Sequence, residues 1–150
     1  MTRWLNPEEQ RAWRAFLAAG ARLDRRLDQQ LKEDAGITHL QYEILVRLGG
    51  APGGEMRMST LADALLNTRS GLTYQIGQLE KAGLVGRRHC PSDTRAVFAV
   101  LTDAGRRTLE EAAPGHVGLV RELLIDVLTP EQLTSLADGL EAVNDRMRTG

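Results

Sequence analysis

Between Met58 and Thr102 the hydrophobic period switches from helical to extended with hardly a linker between, and few folds accommodate that order. Two helical patterns come first, Ser59 to Leu66 and Ser70 to Ala82, separated by Asn67–Arg69. Leu61, Ala62 and Leu65 fall on one face of the first, with Ser59 as its expected N-cap. Leu72, Ile76 and Leu79 form the apolar stripe of the second, and Gly83 stands where a left-handed C-terminal cap is wanted. Val85 to Cys90 and Ala96 to Leu101 are short extended runs on either side of the turn-rich Pro91-Ser92-Asp93-Thr94. Two tightly joined helices followed by a hairpin is the order of a winged helix-turn-helix.

The face of the second helix opposite its stripe carries Ser70, Thr73, Tyr74, Gln75, Gly77, Gln78 and Lys81. All but the glycine can form hydrogen bonds through their side chains and none is acidic, which is what reading base edges in a major groove requires. An ordinary solvated face can look the same, so the hairpin decides between them. Arg87, Arg88, His89 and Arg95 crowd its base and tip beside a single acid, Asp93.

This segment resembles the MarR family of winged-helix transcriptional regulators. The matching pieces are LADAL, the S-x-x-T…LEKAGLV run from Ser70 to Val85, the D-x-R of Asp93 and Arg95, and LTDAG at Leu101 to Gly105. The wing D-x-R followed by L-T-x-x-G is the most specific part. The resemblance implies a mainly α fold with a small β-hairpin wing. The winged-helix DNA-binding lobe is expected over residues 37–102, flanked by long dimerisation helices over 1–36 and 103–150. It implies DNA contacts from Arg69, Ser70, Thr73, Tyr74, Gln75, Gln78 and Lys81 on the recognition helix, and from Arg87, Arg88, Asp93 and Arg95 on the wing. Where many members place a basic residue after the recognition-helix threonine, this chain has Tyr74.

Charge is distributed accordingly. The chain of 150 residues has a formal net charge of −1. Residues 57–107, however, hold eight lysines and arginines against four acids, whereas residues 108–150 hold three against eight. A basic unit on a neutral-to-acidic frame suits phosphate binding at one place. The single cysteine excludes an internal disulfide and, with no apolar run of membrane-spanning length and a charged rather than signal-like N-terminus, points to a cytoplasmic protein.

The first helix is expected near Pro7 with Asn6 as cap, and carries Trp13, Phe16, Leu17, Leu23, Leu27 and Leu31 up to Gly36. Thr38 and Gln41 form a capping box that opens the second. Gly49 to Gly54 reads as a loop, and Met56 and Met58 as a short strand pairing with the wing. Thr102 and Asp103 start a further helix in which Pro114, at a cost of about 3 kcal/mol in a continuous helix, predicts a kink or break. Thr129 and Gln132 box the last helix, with Leu133, Leu136, Ala137, Leu140, Val143 and Met147 as its stripe. These terminal stripes exceed what three short helices can cover, so a homodimer is expected.

No catalytic constellation is present, so no enzyme, cofactor or metal is expected. His39, His89 and His116 are far apart in sequence and fall on three elements. His89 and Cys90 are strand neighbours that point to opposite faces, which argues against a metal site with Asp93. In the family, small and often aromatic anions bind between the DNA-binding lobe and the dimer helices. The candidate pocket residues here are Trp13, Phe16, His39 and Tyr42, with Arg14 or Arg47 as anion partners. The expected function is sequence-specific binding of double-stranded DNA as a homodimeric repressor on a pseudo-palindromic operator, released by a small ligand. The alternative is a winged-helix dimer that has lost specific DNA binding and serves as a ligand carrier or scaffold. No membrane partner is expected.

Overall fold

The computed structural model describes residues 1–65 and 69–149. Among the described residues six α-helices and three strands follow one another as α1 (Pro7–Ala35), α2 (His39–Gly50), β1 (Glu55–Arg57), α3 (Met58–Ala64), α4 (Arg69–Lys81), β2 (Val85–Cys90), β3 (Asp93–Leu101), α5 (Asp103–Leu123) and α6 (Pro130–Thr149). The strands form an antiparallel sheet in the order β1-β3-β2, with Met56 opposite Ala99 and Arg87 opposite the same residue on the other side. The fold is the winged helix that the period switch predicts. The expected helix Ser59–Leu66 and joint Asn67–Arg69 include positions 66–68, which lie outside the described residues, while Arg69 is already the first residue of α4.

Local hydrogen bonding explains most element boundaries. Asn6 and Glu9 form a reciprocal capping box around Pro7, and Gly36 ends α1 in the left-handed region at φ 69°. Thr38 Oγ1 accepts from the Gln41 amide while Gln41 Oε1 accepts from that of Thr38. Thr129 and Gln132 repeat the arrangement before α6. Gly83, at φ 77°, lets the chain turn out of α4 into β2.

Four expectations need correction. Ser59 does not cap α3: the helix begins at Met58, with Arg57 at the N-cap and no side-chain cap bond. Its start is set instead by strand pairing, since Arg57 lies opposite Phe98 and its guanidinium sits 5.9 Å from that ring's centroid. Gly49 and Gly50 are helical rather than looped. A Cβ on Gly49 would meet Leu109 at 2.8 Å, so the absence of a side chain lets α5 pack closely on α2. The wing turn is shorter than the sequence suggests, because Asp93 already pairs with Cys90 and leaves Pro91 and Ser92 as the connection. Finally, α5 is not broken at Pro114; it runs to Leu123 and gives way at Leu124 to a short 3-10 turn, Ile125–Val127. Proline removes one amide from the ladder, and packing of α5 on α1 and α2 sustains the helix across the gap.

The core joins α1, α2, α3, α4, α5 and the sheet around Leu31, Ile44, Leu45, Leu48, Leu61, Leu72, Ile76 and Leu79, all essentially inaccessible. Burying each such side chain contributes about 1.5–3 kcal/mol. The terminal helices behave differently. On α1 Leu27 and Leu31 are buried, whereas Trp13, Phe16 and Leu17 are about half exposed. None of the described residues of α6 is buried, and Val143 and Met147 are largely open. No helix among the described residues is long and apolar enough to cross a membrane.

Candidate nucleic-acid interface

Burial of Leu72, Ile76 and Leu79 against the core fixes which side of α4 faces outward. Ser70, Thr73, Tyr74 and Lys81 are exposed on it, and Gln75 and Gln78 are half-buried. The Arg69 side chain lies outside the described residues. Gln75 is held from behind, its Oε1 accepting from Gln41 Nε2 at 3.2 Å. Tyr74 is 63% exposed.

The wing is fastened to this helix and to β1 by two ion pairs. Arg87 Nε donates to Glu80 Oε1 at 2.6 Å, joining β2 to the end of α4. Arg88 reaches both carboxylate oxygens of Glu55 at 2.6 and 3.1 Å and lies 4.5 Å above the centroid of Phe98. That hydrogen-bonded guanidinium holds the Glu55 carboxyl below its usual range, and Glu55 in turn raises Arg88. Both arginines are therefore spent partly on positioning the wing. Arg95 is different, with 94% of its side chain exposed.

Asp93 engages the backbone of Arg95 more closely than its guanidinium. Its Oδ1 accepts the backbone N–H of Arg95 at 3.0 Å, and the guanidinium Nε stands 3.6 Å from the same oxygen. Asp93 thus stiffens the turn first and biases the arginine second. Between α4 and the wing lies a groove of about 330 Å³ lined by Arg57, Ser59, Thr73, Arg87, Asp93 and Arg95. Sequence reasoning passes over Arg57 and Ser59; the local excess of basic residues contained Arg57 but could not single it out.

The motif L-T-D-A-G acquires a structural meaning behind this surface. Thr102 Oγ1 donates to the Gly83 carbonyl at 2.7 Å and accepts from the Gly105 amide at 3.0 Å. One hydroxyl therefore ties the end of the recognition helix to the start of α5.

The residues expected to line an effector pocket divide into two groups. Trp13 and Phe16 stack on each other, with ring centroids 6.3 Å apart, on the half-exposed part of α1. Arg14 nearby donates to Gln10 at 3.4 Å. Phe16 lies two turns and more from Asp24, about 12 Å along the helix axis. His39 and Arg47 instead share a cleft with Asp24 and Glu43, while Tyr42 is buried against His116, centroid to centroid 4.4 Å. The fold thereby unites His39 and His116, which their sequence separation had kept apart.

The chain is similar in sequence and fold to known proteins. The model of the MarR family matches residues 37–97. Sco3205, a MarR family transcriptional regulator from Streptomyces coelicolor solved in complex with DNA, is 45% identical, with a TM-score of 0.94 over 97% of this chain and 91% of that one. AbsC, a MarR family regulator from the same organism, is 44% identical, with a TM-score of 0.95 over 99% of this chain and 100% of that one. The HTH-type transcriptional regulator MhqR of Bacillus subtilis is 29% identical over 60% of this chain and 61% of its own, so the match spans less than two thirds of that curated relative.

Proposed function

The chain belongs to the MarR family of transcriptional regulators, and on that premise we propose that it is a homodimeric repressor of a pseudo-palindromic operator. The observation that carries DNA binding is the exposed polar face of α4 beside an open groove that ends in the fully exposed Arg95. In this reading Arg69, Ser70, Thr73, Tyr74, Gln78 and Lys81 enter the major groove. Gln75 contributes through its remaining amide donors. Arg57, Arg87, Arg88 and Arg95 address the backbone and the adjacent minor groove, whose negative potential attracts arginine. A DNA complex of a relative 45% identical supports the assignment.

Dimerisation rests on the exposed apolar residues of α1 and α6, with residues 1–36 and 103–150 supplying the interface and residues 37–102 the DNA-binding lobe. A two-fold dimer would set its recognition helices roughly 34–36 Å apart, one turn of duplex. A small ligand bound on the dimer-helix side would release DNA by changing that spacing. Arg47 is the cation offered to an anionic effector, and Asp24 and Glu43 in the same cleft limit how closely such an anion approaches.

The competing reading, a dimer without specific DNA binding, draws on the pairing of Arg87 and Arg88 with acids and on Tyr74 in a place many relatives keep basic. Salt titration of binding to random duplex, followed by selection of bound sequences from random DNA, separates the two. A regulator shows a steep fall of log affinity with log salt and enriches a two-fold site. No slope and no enrichment would leave the scaffold reading standing.

A further inference from the structure

We propose that His39, Glu43 and His116 form a binding site for a divalent transition-metal ion of the zinc class. They are the one group of three or more potential ligands among the described residues, with ligand atoms all within 4.8 Å of one another. Two ligands on a tetrahedral zinc lie about 3.3 Å apart, given bonds of about 2.0–2.1 Å, so modest side-chain rotation closes the set. His39 and Glu43 are four residues apart on α2 and project from one face, as paired ligands on a helix must. His116 approaches from α5, its ring centroid 5.7 Å from that of His39.

The surroundings are built to hold these groups. Asp24 and Asp28, one turn apart on α1, both grip His39: Asp24 Oδ1 lies 2.9 Å from its Nδ1, and Asp28 Oδ1 accepts its backbone N–H at 2.9 Å. A carboxylate on Nδ1 keeps the proton there and presents Nε2 as the donor atom, the usual support of a metal-bound imidazole. That Nε2 already faces Glu43 Oε1 at 3.4 Å. His116 has a buried Nδ1 with no hydrogen-bond partner among the described residues, a state that costs free energy unless something fills it. Gly115 makes the approach possible, because a Cβ there would meet Gln30 and Asp34 of α1 at 2.8 Å.

Two imidazoles and one carboxylate select a nitrogen-seeking ion over magnesium or calcium. Three protein ligands leave a fourth position for water, and His39 and Glu43 keep 24% and 35% of their side chains exposed, so the ion can exchange. The site spans α2 of the winged-helix lobe and α5 of the flanking helices. An ion there fastens the two together.

The test uses full-length protein stripped with a chelator, titrated with Co(II) and then with Zn(II) against a chromogenic chelator. One equivalent per chain is expected, with the visible spectrum of a four- or five-coordinate nitrogen–oxygen site and no thiolate charge-transfer band. His39→Ala and His116→Ala should each weaken binding by about 100-fold or more, and Asp24→Asn by roughly 10-fold through the Nδ1 contact. Circular dichroism of the metal-free variants establishes that they are folded, and Glu43→Gln, close in shape, serves where a histidine variant is not. His89→Ala on the wing should change nothing. Absence of stoichiometric binding overturns the proposal, as does binding that survives Glu43→Gln together with His116→Ala or that is lost with His89→Ala. Because no DNA enters this measurement, its result is separate from that of the DNA-binding test.

Discussion

Gly105, in the first turn of α5, sits against the backbone carbonyl oxygen of Leu84 so closely that a Cβ would overlap it, and would also meet Leu101 at 2.7 Å. Leu84 O is in turn the acceptor of the Thr102 amide at 3.2 Å. The glycine of L-T-x-x-G is therefore a packing requirement at the seam between the wing sheet and α5. Gly105→Ala must push one of two backbones aside. A destabilisation of about 1–3 kcal/mol or more is expected, read as a lower Tm at fixed protein concentration. An unchanged Tm would show that α5 is not seated as described.

Gln78 and Gln75 are predicted to differ. Gln78 has no side-chain tether from α2, whereas the Gln75 carbonyl is engaged by Gln41. Bidentate reading of adenine needs both the oxygen and the nitrogen of an amide. Gln78→Ala should cost roughly 1–3 kcal/mol of binding and relax preference at one base pair. Gln75→Ala should cost less, unless Gln41 releases it on binding, in which case Gln41→Ala would sharpen discrimination at that position. Full discrimination retained by both variants would show that α4 does not enter the groove.

How far the sequence led depends on the range of each interaction. The cap at Asn6, the boxes at Thr38 and Thr129 and the glycines at 36 and 83 were legible because a cap is closed within three or four residues. Ser59 and Gly49 misled for the opposite reason. The start of α3 is set by pairing of Arg57 with Phe98 across the sheet, and Gly49 serves a contact with Leu109 far down the chain. Placement of the α4 face was legible from its stripe; pairing of Arg87 with Glu80 and Arg88 with Glu55 was not, since the partners lie on other elements. The meeting of His39 and His116 is the extreme case, created by the packing of α5 on α1 and α2.

Removal of residues 130–150 should abolish the proposed dimer. The apolar stripe of α6 has no buried residue in the single chain, and Trp13, Phe16 and Leu17 are left open on α1. An interface of this kind buries the hydrophobic area that supplies its stability. Sedimentation or light scattering should find monomers or aggregates. A soluble, well-folded dimer after the truncation would assign the interface elsewhere.

Cys90 should react faster than an ordinary thiol at neutral pH. Its Sγ lies 3.2 Å from Ser92 Oγ, and that hydrogen bond, followed by the backbone amides of Ser92 and Asp93, holds the thiol pKa below its usual value; Arg88 adds to the effect. The rate of alkylation against pH should thus have its midpoint below that of an ordinary exposed thiol. Ser92→Ala removes the largest cause and should move the midpoint upward. A midpoint unmoved by that substitution would mean that the turn does not stabilise the thiolate.

Arg95 and Asp93 separate recognition from stability at the tip of the wing. The Arg95 side chain is 94% exposed and its guanidinium is 3.6 Å from Asp93, so the pair contributes little to folding; exposed pairs are worth about 0–1 kcal/mol. Arg95→Ala should leave Tm nearly unchanged, weaken DNA binding strongly and reduce the salt slope by about one phosphate equivalent. Asp93→Ala sets two effects against each other. Loss of a negative charge near DNA favours binding through the general field, while loss of the bond from Oδ1 to the Arg95 amide loosens the turn that aims the arginine. If aiming dominates, Asp93→Ala binds more weakly than the parent, though less weakly than Arg95→Ala, and Asp93→Asn, which keeps an acceptor for the amide, recovers most of the loss. Tighter binding by Asp93→Ala would remove the orienting role and leave a wing that acts through its charge alone.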